Sequence, residues 1–120
     1  MKILVADDSR VMRQIVIRTL RQAGFGDHDI VEANDGAAAH EMVADEKPDL
    51  VLSDWNMPGM TGIEFLRALR ASGNSVPFVF VTSESSEEMR DMAESGGALF
   101  FITKPFTADI FREKLTSILG

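Results

Sequence analysis

The chain has 120 residues, 45% of them hydrophobic, enough to fill one core and too few for two independent ones. Its formal charge of −7 makes the surface repel phosphate backbones, which argues against direct nucleic-acid binding and for partners that are proteins or cations. Without cysteine there are no disulfides, thiolate metal sites or thiol nucleophiles, and no apolar run approaches the ~20 residues of a membrane span, so the chain reads as soluble and cytoplasmic.

The N-terminus opens directly into an expected strand, Lys2–Ala6 (KILVA), apolar as strands covered on both faces are, and Asp7 and Asp8 follow it. Ser9 is placed to cap a first helix carrying Val11, Met12, Ile15 and Leu20 on one face, closed by Gly24 and Gly26. A short second strand is expected at Asp29–Ala33. Asp35 then caps a helix around Ala38, Met42 and Val43, and Pro48 separates it from the strand Leu50–Ser53, which runs into Asp54. Trp55–Met60 is a loop containing Pro58 and Gly59, after which Thr61 and Glu64 have the spacing of a capping box for a helix over 61–71. Pro77 precedes a strand Phe78–Val81 with Thr82 at its end. A fourth helix is expected to open near Ser85, with Glu88 at box spacing, and to stop at Gly96-Gly97. A strand Leu99–Thr103, then Lys104-Pro105, then a helix from about Thr107 to Leu119 complete the chain.

Five such β-α units form one α/β domain over residues 1–120, with right-handed crossovers placing helices on both faces of a parallel, flavodoxin-like sheet. Ligands of such sheets bind beyond the carboxyl ends of the strands, where Asp7, Asp8, Asp54 and Lys104 all fall. Adjacent carboxylates tolerate one another only when a proton or cation offsets them, and Mg2+ is the natural hard cation for one or two carboxylates plus a phosphoryl oxygen. Asp54 is suited either to join that ion or to attack phosphorus. Any one of these aspartates is as readily a turn or cap residue, but three at the ends of neighbouring strands are not. The Lys104 ammonium has the reach to cross the pocket to a phosphoryl or carboxylate oxygen. Pro105 fixes the turn after it, a cis bond being one way to do so. Thr82 brings a hydroxyl to the same crevice.

Taken together, Asp7-Asp8 after an apolar strand, Asp54 within Ser-Asp-Trp-Asn-Met-Pro-Gly-Met-Thr-Gly (53–62), Val-Thr-Ser-Glu (81–84) and Lys104-Pro105-Phe106 resemble the receiver domain of two-component response regulators. The single-domain chemotaxis (CheY) type is most similar, and the strand order 2-1-3-4-5 belongs to that type. The resemblance spans essentially the whole chain. It implies that Asp54 is the phosphoacceptor and that Mg2+ is held by Asp8, Asp54 and the Asn56 carbonyl, with Asp7 reaching it through water. Thr82 and Lys104 are then the phosphoryl contacts. Thr82 and Phe101 form the switch toward a downstream protein on the face of helix four, strand five and helix five. Phe101 stands where chemotaxis members often carry tyrosine.

The same resemblance implies a histidine kinase or phosphotransfer domain docking on helix one. There Arg10, Gln14, Arg18 and Arg21 fall near one face with Arg13 beside them. On the output face Ser85, Ser86, Glu87 and Glu88 stand where motor-binding relatives tend to have lysines, leaving Lys114 as the main basic residue. Phosphorelay or phosphate-sink roles therefore stay open beside a motor-binding one. As an enzyme the chain would catalyse only its own phosphorylation and dephosphorylation. A small Mg-dependent aspartyl phosphatase, the alternative of a different class, would space its acids Asp-x-Asp after the first strand and need a capping insert. A flavin carrier would want a phosphate loop where Asp7-Asp8 stand. His28 and His40, far from the acids along the chain, read as surface residues.

Overall fold

Alternation along each strand decides which helix covers which face. In the computed structural model, which describes residues 1–120 throughout, five parallel strands lie in the order β2-β1-β3-β4-β5. They are β1 (Lys2–Ala6), β2 (Asp29–Ala33), β3 (Leu50–Ser53), β4 (Phe78–Thr82) and β5 (Phe100–Thr103). The helices between and after them are α1 (Arg10–Leu20), α2 (Gly36–Glu46), α3 (Gly62–Ala71), α4 (Glu87–Ser95) and α5 (Ala108–Leu119). Leu4, Ala6, Val51, Phe78 and Phe80 point to the side of α2, α3 and α4. Ile3, Val5, Leu50, Leu52, Val79, Val81 and Ile102 point to the side of α1 and α5. The central strands β3 and β4 are buried at every position, which is why they read as unbroken apolar runs rather than as alternating ones.

The caps mark the helix starts. Ser9, Asp35, Thr61 and Thr107 each accept a hydrogen bond from a backbone N–H in the first turn of the helix that follows. At Thr61 the box is complete, because Glu64 reaches back to accept from the Thr61 N–H at 3.0 Å. The fourth helix departs from expectation by one residue. Ser86, not Ser85, caps it, accepting from the Met89 N–H at 3.1 Å, so Glu88 completes no box; the Ser85 hydroxyl instead accepts from Arg90. Strand β5 begins at Phe100 rather than Leu99, which is 53% exposed, and β4 runs one residue further than expected, through Thr82. Helix α1 continues into a wider turn, Arg21–Phe25, kinked at Gly24 with φ 98°, a backbone shape that glycine adopts without strain, and capped by Gly26.

Two glycines allow close backbone approaches at the starts of α2 and α3. A methyl group on Gly62 would press into the Asp54 carbonyl oxygen and lie 2.9 Å from both Phe80 and the Trp55 backbone; on Gly36 it would meet the Met60 backbone. Since the obstacle is backbone, it cannot yield by changing a rotamer. Gly62→Ala should therefore destabilise the fold by about 1–3 kcal/mol, the usual cost of overpacking, and denaturant unfolding measures it. An unchanged midpoint would show that α3 can move away from Asp54.

Candidate functional site

The hydrogen-bond ladder continues one residue past the strand ends, and this extension aims the site. The Asp7 N–H donates to the Ala33 carbonyl at 3.1 Å, the Asp54 N–H to the Ala6 carbonyl at 2.9 Å, and the Lys104 N–H to the Thr82 carbonyl at 3.0 Å. Three residues on three strands are thus held in sheet register while their side chains project beyond the edge. The Lys104 ammonium donates to Asp7 Oδ2 at 3.0 Å and to Asp54 Oδ2 at 3.2 Å, with the side chains of all three at most 15% exposed. The other carboxylate oxygens meet backbone donors. Asp7 Oδ1 accepts from the Ser9 N–H at 2.9 Å, and Asp54 Oδ1 from the N–H groups of Trp55 at 2.7 Å and Asn56 at 3.4 Å.

Asp8 completes the cluster from the solvent side. Carboxylate oxygens of Asp7, Asp8 and Asp54 lie within 4.8 Å of one another, an all-oxygen donor set with one ligand exposed and two buried. Burial is the largest influence on Asp7. It raises the carboxyl above its ordinary 3.8, against the Ser9 N–H and the Lys104 ammonium, which favour the charged form. One ammonium does not offset three carboxylates. A hard dication fits what is left: oxygen ligands, an open approach through Asp8, and a surplus of negative charge.

Thr82 lies at the end of β4 opposite Thr103, and its hydroxyl is buried without a hydrogen-bond partner. An unsatisfied buried hydroxyl costs about 1–3 kcal/mol, so it marks a place where an acceptor would be welcome. The Lys104–Pro105 peptide is cis. Asn56 is exposed directly after the Asp54-Trp55 turn. Phe101 lies one strand away, 7% exposed, stacked on Phe80 at 5.2 Å and on Trp55 at 6.1 Å between centroids. Arg90 covers its outer face at 5.3 Å. Arg10, Arg18 and Arg21 are exposed on or just after α1, whereas Arg13 turns inward to Glu32 and the Asp7 carbonyl. His28 lies 3.1 Å from the N-terminal amine and His40 is half-buried on α2, both apart from the acids. Trp55 and Arg90 were not singled out from sequence. Trp55 could have been, since it stands between Asp54 and Asn56, both of which were.

A family model described as the response regulator receiver domain matches residues 3–116. The chain belongs to the response regulator receiver domain family. It is 41% identical over 120 residues to chemotaxis protein CheY of Pseudomonas aeruginosa, covering 98% of this chain and 95% of that one. It is 42% identical to chemotaxis protein CheY-3 of Vibrio cholerae, covering 98% and 91%. Among solved structures it superposes on chemotaxis protein CheY4 of Vibrio cholerae with a TM-score of 0.86 at 34% identity, covering 98% of each chain. The receiver domain of the putative response regulator NarL from Mycobacterium tuberculosis also gives 0.86, at 29% identity and 97% and 93% coverage.

The raised Asp7 carboxyl carries a sign for stability. A folded state that binds a proton more readily than the unfolded chain loses stability as pH rises through the interval between the ordinary and the raised value. Asp7→Asn keeps an oxygen for the Ser9 N–H and removes the buried charge. In metal-free protein it should therefore be more stable than the wild type at pH 7, with the advantage vanishing as pH falls below 3.8. Thermal unfolding across pH checks this, and an advantage independent of pH would refute the electrostatic cause.

Proposed function

We propose that Asp54 accepts a phosphoryl group from a histidine kinase or phosphotransfer domain in a Mg2+-dependent reaction, and that Thr82 and Phe101 pass the change to the face of α4, β5 and α5. The observation that supports this most is the shared Lys104 ammonium, which holds Asp54 and Asp7 together at the mouth of an acidic cleft. Asp8, Asp54 and the Asn56 carbonyl would hold the ion, with Asp7 reaching it through water; when bound, it offsets the charge that gathers as a carboxylate meets a dianionic phosphoryl group.

The remaining chemistry belongs to the chain. An Asp54 oxygen forms its bond to phosphorus as the bond from phosphorus to the donor's imidazole nitrogen breaks. Trp55 and Asn56 N–H groups orient the carboxylate for that approach. Phosphorylation moves the negative charge from the Asp54 carboxylate to the phosphoryl oxygens, so the Lys104 ammonium, still paired with Asp7, turns from Asp54 Oδ2 to one of them. The unpartnered Thr82 hydroxyl gains an acceptor in the same group. Arg10 and Arg18, exposed on α1, suit docking of a kinase or phosphotransfer domain; Arg13, engaged elsewhere, is less free to take part.

Movement of Thr82 toward the phosphoryl group would open space beside Phe101, which is packed between Phe80, Trp55 and Arg90. Helix α4 is the element able to respond, since Ala93 is its one fully buried residue while α3 buries five. Between α4 and β5 lies a cavity of about 470 Å³ bounded by residues including Arg90, Leu99, Phe100, Phe101 and Lys114. A downstream protein would read this surface. The named chemotaxis relatives favour a chemotaxis output, and Glu87 and Glu88 in the first turn of α4 favour the second reading, a phosphorelay or phosphate-sink receiver.

Labelling with acetyl phosphate as a small donor tests the reading. Wild-type protein should take up one phosphoryl group with Mg2+ present and none in EDTA, and Asp54→Asn should take up none. Undiminished labelling of the variant, or acceptance that ignores EDTA, would overturn the assignment.

A further inference from the structure

We propose that Arg13 is a positioning residue for the acidic site, fixing the turn that carries Asp7 and Asp8 with Glu32 as its anchor; the inference rests on the phospho-accepting reading above. The Arg13 Nη1–H donates to the Asp7 carbonyl at 2.7 Å and the Nε–H to Glu32 Oε1 at 2.9 Å, and the side chain is only 13% exposed. Gln14, one residue on, donates to the same Glu32 oxygen at 3.2 Å, so two side chains of α1 hold this single carboxylate on the edge strand β2.

The Asp7 carbonyl is the telling target. It belongs to the planar peptide joining Asp7 to Asp8, so holding it sets the direction in which the Asp8 chain departs. Asp7 has further restraints of its own, through the Ala33 carbonyl, the Ser9 N–H and Lys104. Asp8 is exposed and relies on the backbone for its aim. A lone cation so near the cluster would compete with a dication for the carboxylates. Paired with Glu32 it is formally neutral, which lets it orient the turn without that repulsion. The forked guanidinium meets two acceptors at once, whereas a lysine ammonium offers a single point charge on a flexible stem.

The test compares wild type, Arg13→Lys and Glu32→Ala, the last at an exposed position that leaves α1 intact if the Arg13 variant folds poorly. In metal-free protein, hydrogen exchange at the Asp7 and Ser9 amides should quicken in both variants. Calorimetric titration should show Mg2+ affinity falling by about tenfold, as expected when a group supporting a metal ligand is lost. Labelling by acetyl phosphate should slow at low Mg2+ and recover at saturating Mg2+. If wild type binds no Mg2+, the underlying reading fails and this inference with it. If wild type binds it and both variants bind equally well, only this inference fails, whether the variants are merely less stable or are slowed solely in transfer from a kinase.

Discussion

Two buried carboxylates sharing one ammonium is the interaction on which this molecule turns. Asp7 and Asp54 would repel at this separation, and burial already disfavours the charge on Asp7. Lys104 makes the arrangement tolerable without making it neutral, and Asp8 adds a further negative charge at the surface. Removing Lys104 would leave two buried carboxylates with no counter-charge, which is costlier than the intact pairing is favourable. The site is therefore balanced, and a change of charge on Asp54 must redistribute its partners.

The sheet makes that redistribution consequential. Asp54 is followed directly by Trp55, which packs on Phe80 and Phe101, and Phe101 ends under the guanidinium of Arg90. Arg90 also donates to the Ser85 carbonyl and hydroxyl, at 3.4 and 3.1 Å, in the loop that begins α4. Phe101 lacks the hydroxyl that would hold a tyrosine in place. Stacking and the cation above its face restrain it instead, each worth about 0.5–1.5 kcal/mol. Restraints of that size suit a two-state element, whose arrangements must differ by only a few kcal/mol to be shifted by one modification.

Much of this was legible in the residues alone. Apolar runs ending in Asp7, Asp54 and Lys104 located the strands and the site together, because the same sheet edge that ends a strand exposes the next side chain. Short-range capping signals such as Ser9 and the Thr61–Glu64 pair also carried through, since each is satisfied within one turn. The Ser85-Ser86 pair did not resolve, as either hydroxyl could cap and tertiary contact with Arg90 decided between them. The inward turn of Arg13, expected beside the helical face of Arg10, Gln14, Arg18 and Arg21, was illegible for a related reason: its direction depends on Glu32, which comes beside it only once β2 pairs with β1. Gly36 and Gly62 gave no signal, because what they avoid is backbone brought near by the fold.

The most direct test of the central balance uses the chain's single tryptophan, whose N–H donates to Asp54 Oδ1. Mg2+ is titrated into metal-free protein while Trp55 fluorescence is followed, alongside Asp8→Asn. The wild type should show a saturable one-to-one change and the variant a markedly weaker one. A flat trace, or identical curves for the two proteins, would contradict the claim that this carboxylate cluster is completed by a dication.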